Sequence, residues 1–480
     1  MSSSSPSSRR AFLRTLGQLG LLGGPVAAAR PAFTLGLAGL GAMAAQSSSA
    51  AQLDRPYRAL VCLFMNGGND AHNWLVPLDS AEHAAYTRAR GDLALPASAL
   101  LEIASRRQEA GRRFGLAREL QPLSTWYGRG RCAFVANVGP LSQPTTLADV
   151  QAGRGLPAKL YSHNDQQATW QSLQPEGIAR IGWGGRMADL LASANQNTVL
   201  TTISASGQAI FLNGSGVQPY QIDPEGLVDV RALQSGAWLH GSAGAQARLE
   251  ALLRSNGSTD LQAEHARVTR RALDTAAQLR GALAGTPELP LGAVTLTDGS
   301  RLDLAKDPLA RQLRMVARLI AAAPALGLRR QVFMVSIGGF DTHAQQAARH
   351  PLLGARVAHA VDAFLNGLQG LGRLDDVLLF SASDFGRTLT SNGSGSDHGW
   401  GGHHFVAGGG IRGGDILGRF PTVALGTSTD VGSGRLLPTT SLTEYAASLG
   451  RWMGLSPSEL LTVLPGLERF ATAGPDLGGG

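Results

Sequence analysis

Carboxylates and imidazoles gather in a few short stretches of this 480-residue chain. The densest is Ser396-Asp397-His398-Gly399-Trp400-Gly401-Gly402-His403-His404, which places three of the eleven histidines within seven positions. Asp70 ends Asn66-Gly67-Gly68-Asn69-Asp70. Asp341 and His343 end Gly338-Gly339-Phe340-Asp341-Thr342-His343, and Asp384 opens Asp384-Phe385-Gly386-Arg387. Carboxylate oxygen and imidazole nitrogen together suit zinc or manganese, or calcium if oxygen dominates. Such a divalent metal polarises an ester oxygen or activates a water. The expected metal set is Asp70, Asp341, His343, Asp384, His398 and His403. Each residue also has a plain structural reading. Asp341 suits the N-cap of a helix starting near Thr342, with His343 solvated in its first turn. Asp70 suits a turn, and Asp384 an ion pair with Arg387. His403 and His404 open a strand pattern, so their side chains point to opposite faces. The expectation is that His398 and His403 form the site pair while His404 packs in the fold; the alternative is a surface loop.

A second group, Ser162-His163-Asn164-Asp165, precedes a helical pattern. Ser162 or Asn164 can cap that helix. Alternatively, Ser162 and His163 are catalytic, because a helix start stabilises an anion or a nucleophilic oxygen. The chain has no Gly-x-Ser-x-Gly elbow, Walker A loop or His-Glu-x-x-His motif.

The elements that must position these groups are legible as continuous apolar runs. They are RALVCLFMNGGND, RCAFVANVG, TVLTTISASG, RQVFMVSIGGFD, DVLLFSASDFG, HHFVAGGG and TVALG. Runs of this kind are strands buried on both faces, as in parallel sheets. Helical patterns alternate with them at Arg112–Tyr127, Gln246–Ala284 (with a break at Ser255-Asn256-Gly257), Asp307–Ala323, Thr342–Leu371 and Ser441–Met453. The alternation predicts an α/β fold with a mostly parallel central sheet flanked by helices. Residues 51–472 form one domain, with about 215–330 a helical insertion or cap and 473–480 a flexible tail. Asp70, Asp341 and Asp384 each follow a strand, and ligands of open α/β sheets bind at that edge.

Residues 1–50 read as a leader. Ser8-Arg9-Arg10-Ala11-Phe12-Leu13-Arg14 precedes a weakly apolar Gly/Leu/Ala stretch, the pattern of a twin-arginine export signal. The expected location is therefore periplasmic or exported, the translocase being a partner during export. The membrane would be a partner only if the leader stays uncleaved. Cys62 and Cys132 lie in strand patterns, where they either pair in an oxidising compartment or stay as buried thiols. The formal charge of +7 comes almost wholly from scattered arginine, since Lys159 and Lys306 are the only lysines. With no basic stripe interleaved with aromatics, nucleic-acid binding is not expected.

The leader, ALVCLFMNGGND, SHNDQQATW, GGFDTHAQQ, SDFGR and DHGWGGHHFVAGGGIRGG, in that order, resemble the bacterial family of domain of unknown function 1501. That family is grouped with the alkaline phosphatase and sulfatase superfamily. The resemblance implies an alkaline phosphatase-like sheet with metal-dependent ester hydrolysis as the ancestral chemistry. It implies a metal-binding role for Asp70, a second metal group at Asp341 and His343, a last histidine at His398 or His403, and a nucleophile at Ser162. Where the superfamily carries an Asp-His pair, this chain has Asp384-Phe385. The expected function is hydrolysis of a phosphate or sulfate ester, on a small anionic molecule or an envelope polymer. The competing expectation is a non-catalytic envelope binding protein with a degenerate site.

Overall fold

The computed structural model describes residues 56–174, 179–227, 233, 244–255, 259–470 and 474–478. The leader, with Arg9 and Arg10, lies outside the described residues. A nine-stranded sheet forms the centre. Its strands, with a hairpin that leaves the sheet, are β1 (Arg58–Met65), β2 (Cys132–Gly139), β3 (Thr202–Ser204), β4 (Tyr220–Gln221), β5 (Arg330–Ile337), β6 (Val377–Ser383), hairpin strands β7 (Arg387–Ser391) and β8 (Ser396–His398), β9 (Gly402–Gly408), β10 (Ile416–Leu417) and β11 (Thr440–Ser441). The sheet order is β10-β2-β9-β6-β1-β5-β3-β4, with β11 also paired to β2. β1 runs parallel to β5 and β6, while β9 runs antiparallel to both β6 and β2. The sheet is thus mixed and mostly parallel.

The period-two geometry of a strand explains why β1 is apolar throughout. Ala59, Val61, Leu63 and Met65 enter one core; Leu60, Cys62 and Phe64 enter the core on the opposite face. Each large side chain so buried contributes roughly 1.5–3 kcal/mol. The same alternation separates the cysteines. Cys62 faces one core and Cys132 the other, and both are free thiols whose pKa values burial pushes up.

The helices used below are α1 (Ser80–Arg90), α2 (Gln121–Gly128), α3 (His163–Ser172), α4 (Trp183–Leu191), α5 (Ala245–Arg254), α6 (Asp260–Ala284), α7 (Pro308–Ala322), α8 (Gln346–Gly370) and α9 (Leu442–Trp452). The break expected near residue 256 separates α5 from α6, which Thr259 opens with a capping box. Several expectations need correction. Phe114–Ala117 is a strand in a small three-stranded sheet, so the helix expected from Arg112 begins only at Gln121. TVALG, expected as a strand, has no strand structure. Within the expected insertion, Tyr220–Gln221 pairs with the central sheet, and α7 buries most of one face in the core. Residues 474–478 of the expected flexible tail pack on α9. Leu477 is buried there, and the Pro475 carbonyl accepts from Ser448 Oγ at 2.6 Å.

Parallel β1, β5 and β6 end at one edge of the sheet. Because β9 is antiparallel, its start lies at that edge as well. The loops carrying Asp70, Asp341, Asp384 and His398 therefore meet there. Gly67 has φ +114, and a Cβ on it would lie 2.3 Å from Asp341 N. This is a close approach of two loops that only glycine permits.

Candidate metal centre

The site is built around Asp341. The helix expected at Thr342 starts instead at Gln346, behind a non-glycine residue with positive φ, Gln345 at 56°. Asp341 is therefore not the N-cap; it belongs to an irregular loop, 341–345, held against the β7–β8 hairpin. Ser396 N–H donates to the Thr342 carbonyl at 3.3 Å, and Gln346 N–H donates to the Ser394 carbonyl at 3.0 Å. Asn392 Nδ2 donates to the His343 carbonyl at 3.1 Å.

Three imidazoles approach the Asp341 carboxylate through Nε2. His343 lies 3.1 Å and His398 3.4 Å from Oδ1; His163 lies 3.6 Å from Oδ2. Each ring has its other nitrogen on an acceptor. His163 Nδ1 meets Asp384 Oδ2 at 2.6 Å, His343 Nδ1 meets Asp397 Oδ1 at 3.1 Å, and His398 Nδ1 meets the Tyr161 carbonyl at 2.7 Å. Carboxylates and carbonyls only accept, so each Nδ1 carries a proton; in the neutral ring Nε2 then keeps the lone pair that a cation would use. The Nε2 atoms of His343 and His398 are 2.9 Å apart. In neutral rings protonated at Nδ1, two lone pairs at that distance repel unless a proton or a cation lies between them. One proton would serve that pair alone. A cation could instead be shared by His398, His163 and Asp341, with His343 bordering that set. Ligand atoms of His163, Asp341 and His398 all lie within 4.8 Å of one another. Nitrogen-rich donors with every Nδ1 anchored match the usual support of zinc-binding histidines. Calcium, which takes six to eight oxygens, does not suit them.

The supports come from local geometry. α3 presents His163 and Gln167 one turn apart, and both reach Asp384 Oδ2, Gln167 Nε2 donating at 2.9 Å. Gly67 N–H donates to Asp384 Oδ1 at 3.1 Å. Phe385 is buried, its ring 4.9 Å from that of His163 and 4.5 Å from that of His398. Arg387, fully buried, donates to Asp341 Oδ1 at 2.5 Å. Burial would raise the Asp341 pKa, but the Arg387 hydrogen bond and charge, with His343 and His163, outweigh it and hold it below the ordinary carboxylate value. Partial burial lowers the pKa of His398, favouring the neutral ring that a metal ligand requires.

The structure thus brings Asp341, His343 and His398 together and adds His163, which was expected to be catalytic. The remaining expected residues are corrected as follows. Asp70 lies at the same edge but is fully buried against Arg90 and Gln346, which both donate to Oδ2. Burial opposes its ionisation, yet the Arg90 charge prevails and its pKa is lowered. Its charge is already balanced. Asp384 orients His163 instead of joining the cluster, and the arginine expected beside it pairs with Asp341. His403 is absent from the cluster. β2 bulges opposite Gly402–His404, where Asn137 has φ 45°, and Asn137 N–H donates to His403 Nδ1 at 3.1 Å. The His403 ring stacks on Phe420 at 4.6 Å and burial drives its pKa far down. His404 takes the opposite face, against Trp170 and Ser381, with a pKa lowered by burial to about 3. Both faces of β9 are core, so neither histidine reaches the strand-end site. Ser162 is the N-cap residue of α3, but its hydroxyl donates to Asp165 Oδ2 at 2.7 Å, and no contact joins it to the cluster among the described residues.

Sequence reasoning missed Gln167, Asp397 as a histidine anchor, Phe385 as a packing ring and the Tyr161 carbonyl. The His163–Gln167 spacing was a usable signal for the first. A backbone carbonyl leaves none.

A ligand that binds only the native state stabilises it by mass action, about 2.7 kcal/mol at a hundredfold excess over Kd. Zinc is expected to raise the Tm of the wild type and of His403→Ala by several degrees, the latter from a lower baseline. It should raise His163→Ala and His398→Ala far less. Differential scanning calorimetry with and without zinc checks this, and equal shifts in all four proteins would refute the cluster.

No curated protein matches the sequence. Among solved structures, the chain aligns with a sulfatase from Pseudoalteromonas sp. at 12% identity, covering 86% of this chain and 72% of that one, with a TM-score of 0.30. It aligns with a lipoteichoic acid synthase from Listeria monocytogenes at 7% identity, covering 87% and 80%, with a TM-score of 0.34. The soluble domain of lipooligosaccharide phosphoethanolamine transferase A from Neisseria meningitidis aligns at 10% identity, covering 83% and 88%, with a TM-score of 0.27. Likeness at these scores carries no argument about chemistry. The family model described as "Protein of unknown function (DUF1501)" matches residues 57–463, the great part of the chain, and the chain belongs to that family.

Proposed function

We propose that this protein is an exported, metal-dependent hydrolase of phosphate or sulfate esters with one cation at the His163–Asp341–His343–His398 centre. The observation that carries the reading is the set of three imidazoles, each anchored at Nδ1, with their Nε2 atoms around one carboxylate. A zinc ion bound there supplies Lewis-acid polarisation of an ester oxygen and lowers the pKa of a water. The chain's own residues do the positioning. Asp384 and Asp397 keep the protons of His163 and His343 on Nδ1, and Phe385 covers the rings of His163 and His398 with apolar surface. Arg387 fixes Asp341. The charge balance of Asp70 with Arg90 and the apolar Phe385 argue for one cation instead of two. The partner is an anionic ester, small or part of an envelope polymer.

A second reading, a non-catalytic binding protein, is favoured by one observation: the Ser162 hydroxyl is committed to Asp165. Turnover separates the two. Zinc-loaded protein is expected to hydrolyse an aryl phosphate or aryl sulfate. Asp384→Asn is expected to weaken zinc binding by about 10- to 100-fold, the usual cost of losing such a support. Full zinc occupancy without hydrolysis of either ester would leave only the binding reading.

Export through the twin-arginine translocase remains part of the proposal and rests on Arg9 and Arg10. No helix among the described residues is long and apolar enough to cross a membrane. Replacing both arginines with lysine is expected to leave full-length precursor in the cytoplasm on cell fractionation; normal periplasmic accumulation would contradict this.

A further inference from the structure

Most arginines near the sheet edge have their charge spent. Arg90 is paired with Asp70 and Arg387 with Asp341. Arg435 differs. It is partly buried beside the centre, yet no carboxylate lies within ion-pair distance of it among the described residues. Its contacts are to backbone and to a ring. Nε donates to the His398 carbonyl at 2.9 Å, and Nη1 donates to the Gly432 carbonyl at 3.3 Å. The guanidinium carbon lies 5.1 Å from the centre of the Tyr161 ring. Nη2 has no hydrogen-bond partner among the described residues.

These contacts tie Arg435 to the centre itself. Tyr161, under the guanidinium, also gives its carbonyl to His398 Nδ1. His398 is therefore held from both sides, through its ring by Tyr161 and through its carbonyl by Arg435. The result is a guanidinium whose orientation is already fixed, whose charge meets Asp397 only at a distance, outside an ion pair, and whose Nη2 has no hydrogen-bond partner among the described residues. Fixing the group in advance removes most of the side-chain entropy that an anion would otherwise have to offset. Planar N–H donors of this kind suit the oxygens of a tetrahedral oxyanion.

We propose that Arg435 is the anion-recognition residue of the centre, donating from Nη2 to a non-bridging oxygen of a phosphate or sulfate group. This assignment rests on the hydrolase reading above and names its ligand chemistry. Inorganic phosphate and inorganic sulfate serve as probes.

The test is calorimetric titration of each probe into zinc-loaded, full-length wild type, Arg435→Gln and Arg435→Lys, with zinc content measured beforehand. A hydrogen bond to a charged group is worth roughly tenfold to a hundredfold in affinity. Arg435→Gln is expected to lose that much for the anion that wild type prefers, while zinc content stays at the wild-type level. Arg435→Lys is expected to recover only part of the loss, because an ammonium keeps the charge without the planar donors. The preferred probe distinguishes a phosphate site from a sulfate site. Anion affinity unchanged in Arg435→Gln overturns the assignment and leaves the hydrolase reading standing, as does zinc-loaded wild type that takes neither anion. Loss of zinc in both variants also overturns it, since Arg435 would then only seat His398. Failure of wild type to hold zinc defeats both readings, and is seen before any anion is added.

Discussion

One buried guanidinium holds the working edge of this protein together. Arg387 donates from Nε to the Gly68 carbonyl at 2.9 Å, from Nη1 to the Ser396 carbonyl at 3.0 Å, and from Nη2 to the Phe340 carbonyl at 3.1 Å, as well as to Gly67 and Asp341. Those acceptors belong to the loop after β1, the loop after β5 and hairpin strand β8. A buried cation without its partners would cost several kcal/mol, so these loops are obliged to stay together. Asp341 is the counterion, and its position fixes where three imidazoles can meet. The cluster follows from a charge that had to be satisfied.

That constraint also explains which parts were legible in the sequence. β1, β5 and β6 could be read because each feeds two cores and is apolar at every position. The strand-end rule then placed Asp70, Asp341 and Asp384 at one edge. The rule does not say which carboxylate faces outward. Asp70 and Asp384 were both taken by partners distant in sequence, Arg90 on α1 and His163 on α3, and no local pattern records such pairing. His403 failed for a different reason. Alternation along a strand chooses between two faces of the sheet, whereas the site lies at the strand's end. His398, in the hairpin just before β9, could reach the edge; His403 and His404 fill opposite cores. The glycines around them are not signs of a loose loop. A Cβ at Gly399 would lie 2.6 Å from the Arg387 backbone, so the segment is packed tightly.

The departures from the expected residues agree with one another. Phe385 stands where the resemblance implied a histidine and lies against the rings of His163 and His398. Asp70 is neutralised by Arg90, so its charge needs no cation. What remains is one nitrogen-rich centre, bordered by an arginine that makes no ion pair among the described residues. That combination suits a small tetrahedral anion better than a nucleic acid, whose recognition needs an extended basic surface. The Ser162 hydroxyl is committed to Asp165 and makes no contact with the cluster among the described residues.

The proposed centre holds a single cation on three imidazoles and one carboxylate. X-ray absorption at the zinc edge of protein loaded to saturation tests it most directly. One zinc per chain, with three imidazole nitrogens at about 2.0–2.1 Å and no neighbouring metal, is expected. A second zinc at about 3.5–4 Å, or a shell made mostly of oxygen, would contradict it.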